Sequence, residues 1–344
     1  MTLPTLDERQ RRILKLVVES HVRRGEPVGS RYVRTAYHLS ISPATIRGAM
    51  QRLEEEALLA HPHTSAGRIP TESGYRYYVD SLMRPEPVSP ATRRAVDRSI
   101  ERAVRTAAGA EDLQILATRV LAQTSHQLAL VAMRAWDERP IRCFDLVALP
   151  DGLVLLAVGE RGARVVTSTW RPTRPYPART ARRAERWIAE RLPLRDAAAC
   201  WALGRAARHE APATVAALAA DALDRAAKLL EALRRPAVRI DGAENIAAQP
   251  EFQSPDRLRG LVALLAEPEP LTRALESFMD AGGARVTIGR ENGDGAMGSC
   301  SLIGTGLASG HFRGAIGVLG PVRMPYRRLV PLVSHVGRRL AEAR

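Results

Sequence analysis

Apolar positions recur with a helical period from the start of the chain. Ile13, Leu14, Val17, Val18 and Val22 predict an amphipathic helix over residues 8–24, ended by Gly25. The turn EPVG at 26–29 then leads to Ser30, an N-cap for a short helix burying Val33, Ala36 and Tyr37. After a brief link at 38–41, Ser42 caps a third helix over 42–56, and Pro43 fits its first position. Ile46, Met50, Leu53 and Ala57 follow at spacings of four, three and four, which makes one buried face. Residues 58–60 and 68–69 can pair as a two-stranded wing, and Thr71 caps a helix starting at Glu72, with Tyr75, Tyr78 and Leu82 inward. Three helices in this order followed by a hairpin predict a winged helix-turn-helix at 1–83. A small helical bundle with a surface hairpin is the other reading of the same pattern.

Beyond the wing, RPEPVSP at 84–90 reads as a semi-rigid linker, placed at 84–92. A helical region follows, with Val96, Ile100 and Val104 on one stripe, then Leu113, Leu116, Val120 and Leu121. Strand-like runs occupy 128–133 and 141–149, and a hairpin joins 153–158 to 163–167 across 159–162. Alanine-rich helical segments take over at 179–192 and 212–235. Strand-like sequence resumes at 285–289, 299–304 and 314–319. A closing helix at 326–343 buries Leu329, Val333, Val336 and Leu340, with Pro331 disturbing it locally. Strands, a helical interruption and more strands predict an α+β multidomain chain: an α/β sheet domain split into 93–174 and 238–344 by a helical insertion at 175–237. The insertion's small, aliphatic stripe suits packing within the subunit or between two subunits.

The outer face of the third helix carries the candidate chemistry. Thr45, Arg47 and Gln51 can reach base edges, while Ser42, Arg52 and Arg68 can hold phosphates. His63, Thr64 and Ser65 at the wing would approach the backbone or the adjacent minor groove. The formal charge of +14 over 344 residues suggests an anionic partner. The head supplies little of it, since residues 1–83 hold 12 Lys+Arg against 9 Asp+Glu. Placement of particular arginines therefore matters more than net charge. Cys143, Cys200 and Cys300 are scattered and read as reduced, buried thiols. With neither a signal peptide nor a membrane-length apolar run in the sequence, a cytoplasmic protein is expected.

The motifs GEPVGS at 25–30, SPATIR at 42–47 and HTSAGRIPTESGYRYYVD at 63–80 resemble the N-terminal winged helix of the HrcA family, heat-inducible transcription repressors of bacteria. GAENI at 242–246, PEF at 250–252, VTIGREN at 286–292 and CSLIG with GAIGVLGPVRMPY in 300–326 resemble signatures of the same family. The resemblance implies a GAF-like domain interrupted by an inserted dimerising domain. It also implies a homodimer on the inverted-repeat CIRCE operator of chaperone operons, kept active by the chaperonin GroEL and released on heat shock. Gly48-Ala49 depart from the Asn-Glu that the family tends to carry, and Gly48 costs the helix about 1 kcal/mol relative to alanine.

Enzyme chemistry has little support. Gly304-Thr305-Gly306 with Gly310 resembles a piece of a nucleotide-binding loop, but no helix of apolar period follows. His61 and His63 lack a third metal ligand at useful spacing. No cofactor, metal or catalytic group is expected. Two other functions fit the head: a regulator of another regulon gated by a small ligand in the GAF-like part, and a scaffold using the winged helix for protein contacts.

Overall fold

The computed structural model describes residues 4–62, 67–107, 110–135, 141–159, 165–194, 196–234, 238–293, 295–308 and 312–342. Residues 1–133 and 237–344 make one compact unit and 134–236 a second. The first unit opens with α1 (Glu8–Arg24), α2 (Ser30–Ala36) and α3 (Pro43–Glu55), then β1 (Leu59–Ala60), β2 (Ile69–Pro70) and α4 (Glu72–Tyr77). Local sequence accounts for the helix ends. Asp7 and Gln10 form a reciprocal capping box at α1, Gly25 closes it in the left-handed region, and Thr71 accepts the Gly74 N–H at α4. One further turn, widely wound, runs from Tyr78 to Leu82.

After the linker come α5 (Pro90–Thr106), α6 (Ala110–Ser125) and β3 (Leu128–Ala135). The second unit holds β4 (Cys143–Ala148), β5 (Val154–Gly159) and β6 (Val165–Trp170), then α7 (Ala178–Ala189), α8 (Ala197–Glu210) and α9 (Ala216–Arg234). Its three strands form their own antiparallel sheet. Phe144, Leu146, Leu156, Val158 and Trp170 share a core with Ala184, Ile188, Leu218 and Ala222 of the helices. The division expected at 175 is thereby corrected to 134. The strands of 141–167 do not extend the larger sheet, because their apolar face packs on the alanine-rich helices instead. The turn expected at 159–162 lies, from 160 on, outside the described residues, as does the start of its second strand.

The chain returns to the first unit through β7 (Val238–Asp241), α10 (Ala243–Ala247), α11 (Pro255–Ala266), α12 (Glu269–Glu276), β8 (Arg285–Ile288), β9 (Cys300–Ala308), β10 (Phe312–Pro321) and α13 (Tyr326–Glu342). The five-stranded sheet runs β7-β3-β10-β9-β8, with β3/β7, β9/β10 and β8/β9 antiparallel. Alternate residues bury on opposite faces. Leu128, Leu130, Leu302 and Leu319 pack with Ile246, Leu261, Leu271 and Phe278 on one side. Ala129, Val131, Ile303 and Val318 join Leu121, Leu329 and Val333 on the other. That second core continues without a break into Ile13, Val17, Ile46 and Leu53 of the winged head. Among the described residues no helix is long and apolar enough to cross a membrane, and no His, Cys, Asp and Glu cluster is disposed to hold a metal ion.

Candidate nucleic-acid interface

The third helix, α3, is set by its first residues. Ser42 sits in extended backbone and its Oγ accepts the Thr45 N–H at 3.1 Å, with the two hydroxyls 2.9 Å apart. Ile46, Ala49, Met50 and Leu53 are buried against the apolar face of α1, so the opposite face is left to solvent. Ser42, Arg47, Gln51 and Arg52 are exposed there and Thr45 is half-buried. Gln51 Nε2 donates to Glu55 at 3.4 Å, whereas Arg47 and Arg52 have no acceptor among the described residues. Arg47 stands in the second turn of the helix and Arg52 in its last, and two free guanidiniums on one exposed helix face are suited to an anionic ligand.

Gly48 lies at the middle of this face. A Cβ added there would meet nothing within 4 Å, so its lack of a side chain serves no internal packing. Ala57, expected on the buried stripe, is exposed. The helix ends at Glu55 and the chain turns through φ 55° at Ala57, carrying the side chain away from the core. Ala36 is exposed as well, and Gly29 rather than Ser30 occupies the cap of α2. Arg31 and Arg34 of α2 are exposed arginines outside the expected set, and they too lack acceptors among the described residues.

The wing pairs Leu59 with Pro70 and Ala60 with Ile69, and Arg68 forms a backbone bridge to Val28. A side chain at Gly67 would collide with the Val28 carbonyl, and one at Gly74 with the Leu58 carbonyl. Both glycines therefore permit the close approach that fixes the wing on the helices. Arg68 is not free: its Nε lies 2.8 Å from Glu54 of α3, and only 20 % of its side chain is accessible. This places Arg68 as a brace between wing and helix, although it was expected among the phosphate contacts. The expected wing residues His63, Thr64 and Ser65 lie outside the described residues.

A second set of the motifs quoted above meets the underside of this head. Arg323 donates from Nε to Glu251 at 2.6 Å and from Nη1 to the Val22 carbonyl at 2.9 Å, near the end of α1. Arg76 donates to Glu291 at 2.9 Å, to the Val286 carbonyl at 2.7 Å and to Asp80 at 3.0 Å. Glu72 accepts the Arg290 N–H at 3.2 Å. His21 Nδ1 lies 2.7 Å from the hydroxyl of Tyr75, whose ring is 6.0 Å from that of Tyr326. Tyr326 is fully buried, with its hydroxyl 2.7 Å from that of Ser301 and donating to the Val322 carbonyl at 2.6 Å. Burial, aided by Arg323, lowers the His21 pKa to about 4, while Glu251 opposes. These contacts join residues up to 301 positions apart. The sequence marks the motifs but not this use of them.

The profile described as HrcA protein C terminal domain matches residues 111–330. A heat-inducible transcription repressor HrcA of Xylella fastidiosa (strain M23) is 32 % identical over 341 residues, covering 99 % of this chain and 96 % of the relative. The protein of that name from Frankia casuarinae is 33 % identical, covering 98 % of each, and that from Chlorobium phaeobacteroides is 30 % identical, covering 100 % and 99 %. A crystal structure described as a hypothetical protein at 2.2 Å resolution shares the fold, with a TM-score of 0.55, 21 % identity and 98 % of each chain covered.

Proposed function

Because this chain belongs to the HrcA family, whose named relatives are transcription repressors, we propose that it represses chaperone operons by binding the inverted-repeat CIRCE operator as a homodimer. The carrying observation is the outer face of α3, a capped helix whose buried side is filled and whose exposed side presents Arg47, Gln51 and Arg52. In this reading α3 enters the major groove. Thr45, Arg47 and Gln51 meet base edges, and Ser42 and Arg52 hold phosphates. Arg68 reaches a phosphate only by leaving Glu54, so its main part is to hold the wing. His63, Thr64 and Ser65 are proposed to lie along the backbone or minor groove. One head reads one half-site, and a two-fold pair reads the repeat.

The exposed arginines act on substrate charge, not on covalent bonds. Each guanidinium that replaces condensed counterions makes affinity fall with salt, while base-edge contacts set preference among sequences. The GAF-like sheet domain and the inserted unit are proposed to carry dimerisation and the response to GroEL, with heat shock diverting the chaperonin and lifting repression in the cytoplasm. The deciding experiment is a gel-shift titration on CIRCE and on a scrambled duplex at equal salt, with and without GroEL. Tighter binding to CIRCE that falls steeply with salt supports the proposal. Equal binding to both duplexes assigns the protein to another operator, and absence of salt-dependent binding removes the DNA reading.

A further inference from the structure

A cleft of about 600 Å³ opens on the sheet domain, between the linker that carries the head, the start of α5, the turn before β8 and the last helix. Its linker wall is anchored by a helix defect. Pro331 has no N–H to give to the Arg327 carbonyl one turn earlier in α13. That carbonyl instead accepts the Glu86 N–H of the linker at 2.8 Å. Pro87 and Val88 then run along the cleft.

Two arginines from elements far apart in sequence line this space, Arg93 in the first turn of α5 and Arg338 near the end of α13. Both are exposed, and neither has a carboxylate partner among the described residues. Their neighbour Arg339 is the contrast, since it is satisfied by Asp97 at 3.0 Å, Glu101 at 3.2 Å and Glu342 at 3.1 Å. Arg338 is also oriented. It donates to His335 Nδ1 at 3.2 Å, so that nitrogen is the acceptor and Nε2 carries the proton, donated to Asp97 at 2.9 Å. Burial holds the His335 pKa below its ordinary value; Asp97 opposes this, and the charges of Arg338 and Arg93 lower it further. The hydrogen bond to Nδ1 keeps Arg338 at the cleft wall. Ser334 and Thr305 add hydroxyls, and Gly282-Gly283 bring backbone unshielded by side chains.

We propose that this cleft binds a small phosphomonoester, its phosphate held between Arg93 and Arg338, and that the bound molecule clamps the linker against α13. Two guanidiniums match the charge of a phosphate better than that of a single carboxylate. The apolar linker wall provides contact for the remainder of such a molecule. The site is independent of which operator the head reads.

The test is calorimetric titration of the full-length protein with inorganic phosphate and with glycerol 3-phosphate at constant ionic strength. Acetate serves as the carboxylate control. Saturable binding of both phosphates is expected, weakened about tenfold or more in the Arg93→Ala/Arg338→Ala double variant. The Arg47→Ala/Arg52→Ala variant separates this site from the head and should bind as the parent does. Absence of saturable binding overturns the proposal, as does binding that survives the cleft variant or is lost with the head variant. Equal affinity for acetate overturns the phosphate assignment. Hydrogen exchange at the Glu86 amide reads the clamp: slower exchange with glycerol 3-phosphate bound supports it, and unchanged exchange overturns it.

Discussion

The two sides of the winged head use the same residue type in opposite ways. On the outer side Arg47 and Arg52 project from α3 with no acceptor among the described residues. On the underside Arg76 of the head is satisfied by Glu291 and the Val286 carbonyl of the sheet domain, and Arg323 of the sheet domain by Glu251 and the Val22 carbonyl of the head. The difference lies in the cost of removal. A free surface guanidinium loses only its own solvation when deleted, whereas a paired, half-buried one leaves charged and polar partners stranded. The head is thus fastened by one set of arginines and equipped for an anion by another, and net charge distinguishes neither.

Substitutions test that contrast in descending order. Arg323→Ala leaves Glu251, only 24 % accessible, without its guanidinium and bares the Val22 carbonyl. It is expected to lower unfolding stability by about 3 kcal/mol, read from the urea midpoint at constant slope. An effect within experimental scatter would mean that the underside is not a fastening at all. Arg47→Ala is the reverse case. Its stability should stay within about 0.5 kcal/mol of the parent, while preference for CIRCE over scrambled DNA falls by about 2 kcal/mol, or roughly thirtyfold. Unchanged preference would displace α3 from the reading role.

The His21–Tyr75 pair gives the comparison a pH axis. His21 stays neutral in the folded state down to about pH 4, but takes a proton near 6.5 when unfolded. Between those values the unfolded chain binds more protons, so this contribution to stability is complete above 6.5 and is lost as pH falls toward 4. Discounted for the ring's partial access to water, the loss is about 1.5 kcal/mol. His21→Gln should remove that part of the slope in urea titrations across the window; an identical slope would refute the assignment. Gly48→Ala makes the smallest change, raising stability by about 1 kcal/mol through helix propensity, with an open space to receive the methyl. A loss of stability there would show that the face is not open.

What could be read from sequence was what local chemistry decides. Ser42-Pro43 begin α3 as expected because cap and first-turn geometry depend on adjacent residues. Ala57 leaves the buried stripe because the chain turns through the left-handed region after Glu55, which periodicity cannot see. The strands at 143–170 are legible as strands, but which sheet receives them depends on distant partners, and they join the alanine-rich helices. At the candidate interface the exposed side chains of α3 follow directly from helical period. The brace from Arg68 to Glu54 does not, since either residue alone looks available to solvent. Arg76 and Arg323 stand inside quoted motifs, yet their partners lie 215 and 72 positions away.

The uninterrupted apolar core beneath the head bears on how the protein can be dissected. Ile13, Val17 and Tyr75 belong to the same packed cluster as Ile303, Val318 and Tyr326. A fragment ending at residue 83 would surrender that shared filling and present its tyrosines to water. Such a fragment is a poor stand-in for the intact regulator, because cutting the chain there removes part of the head's own interior.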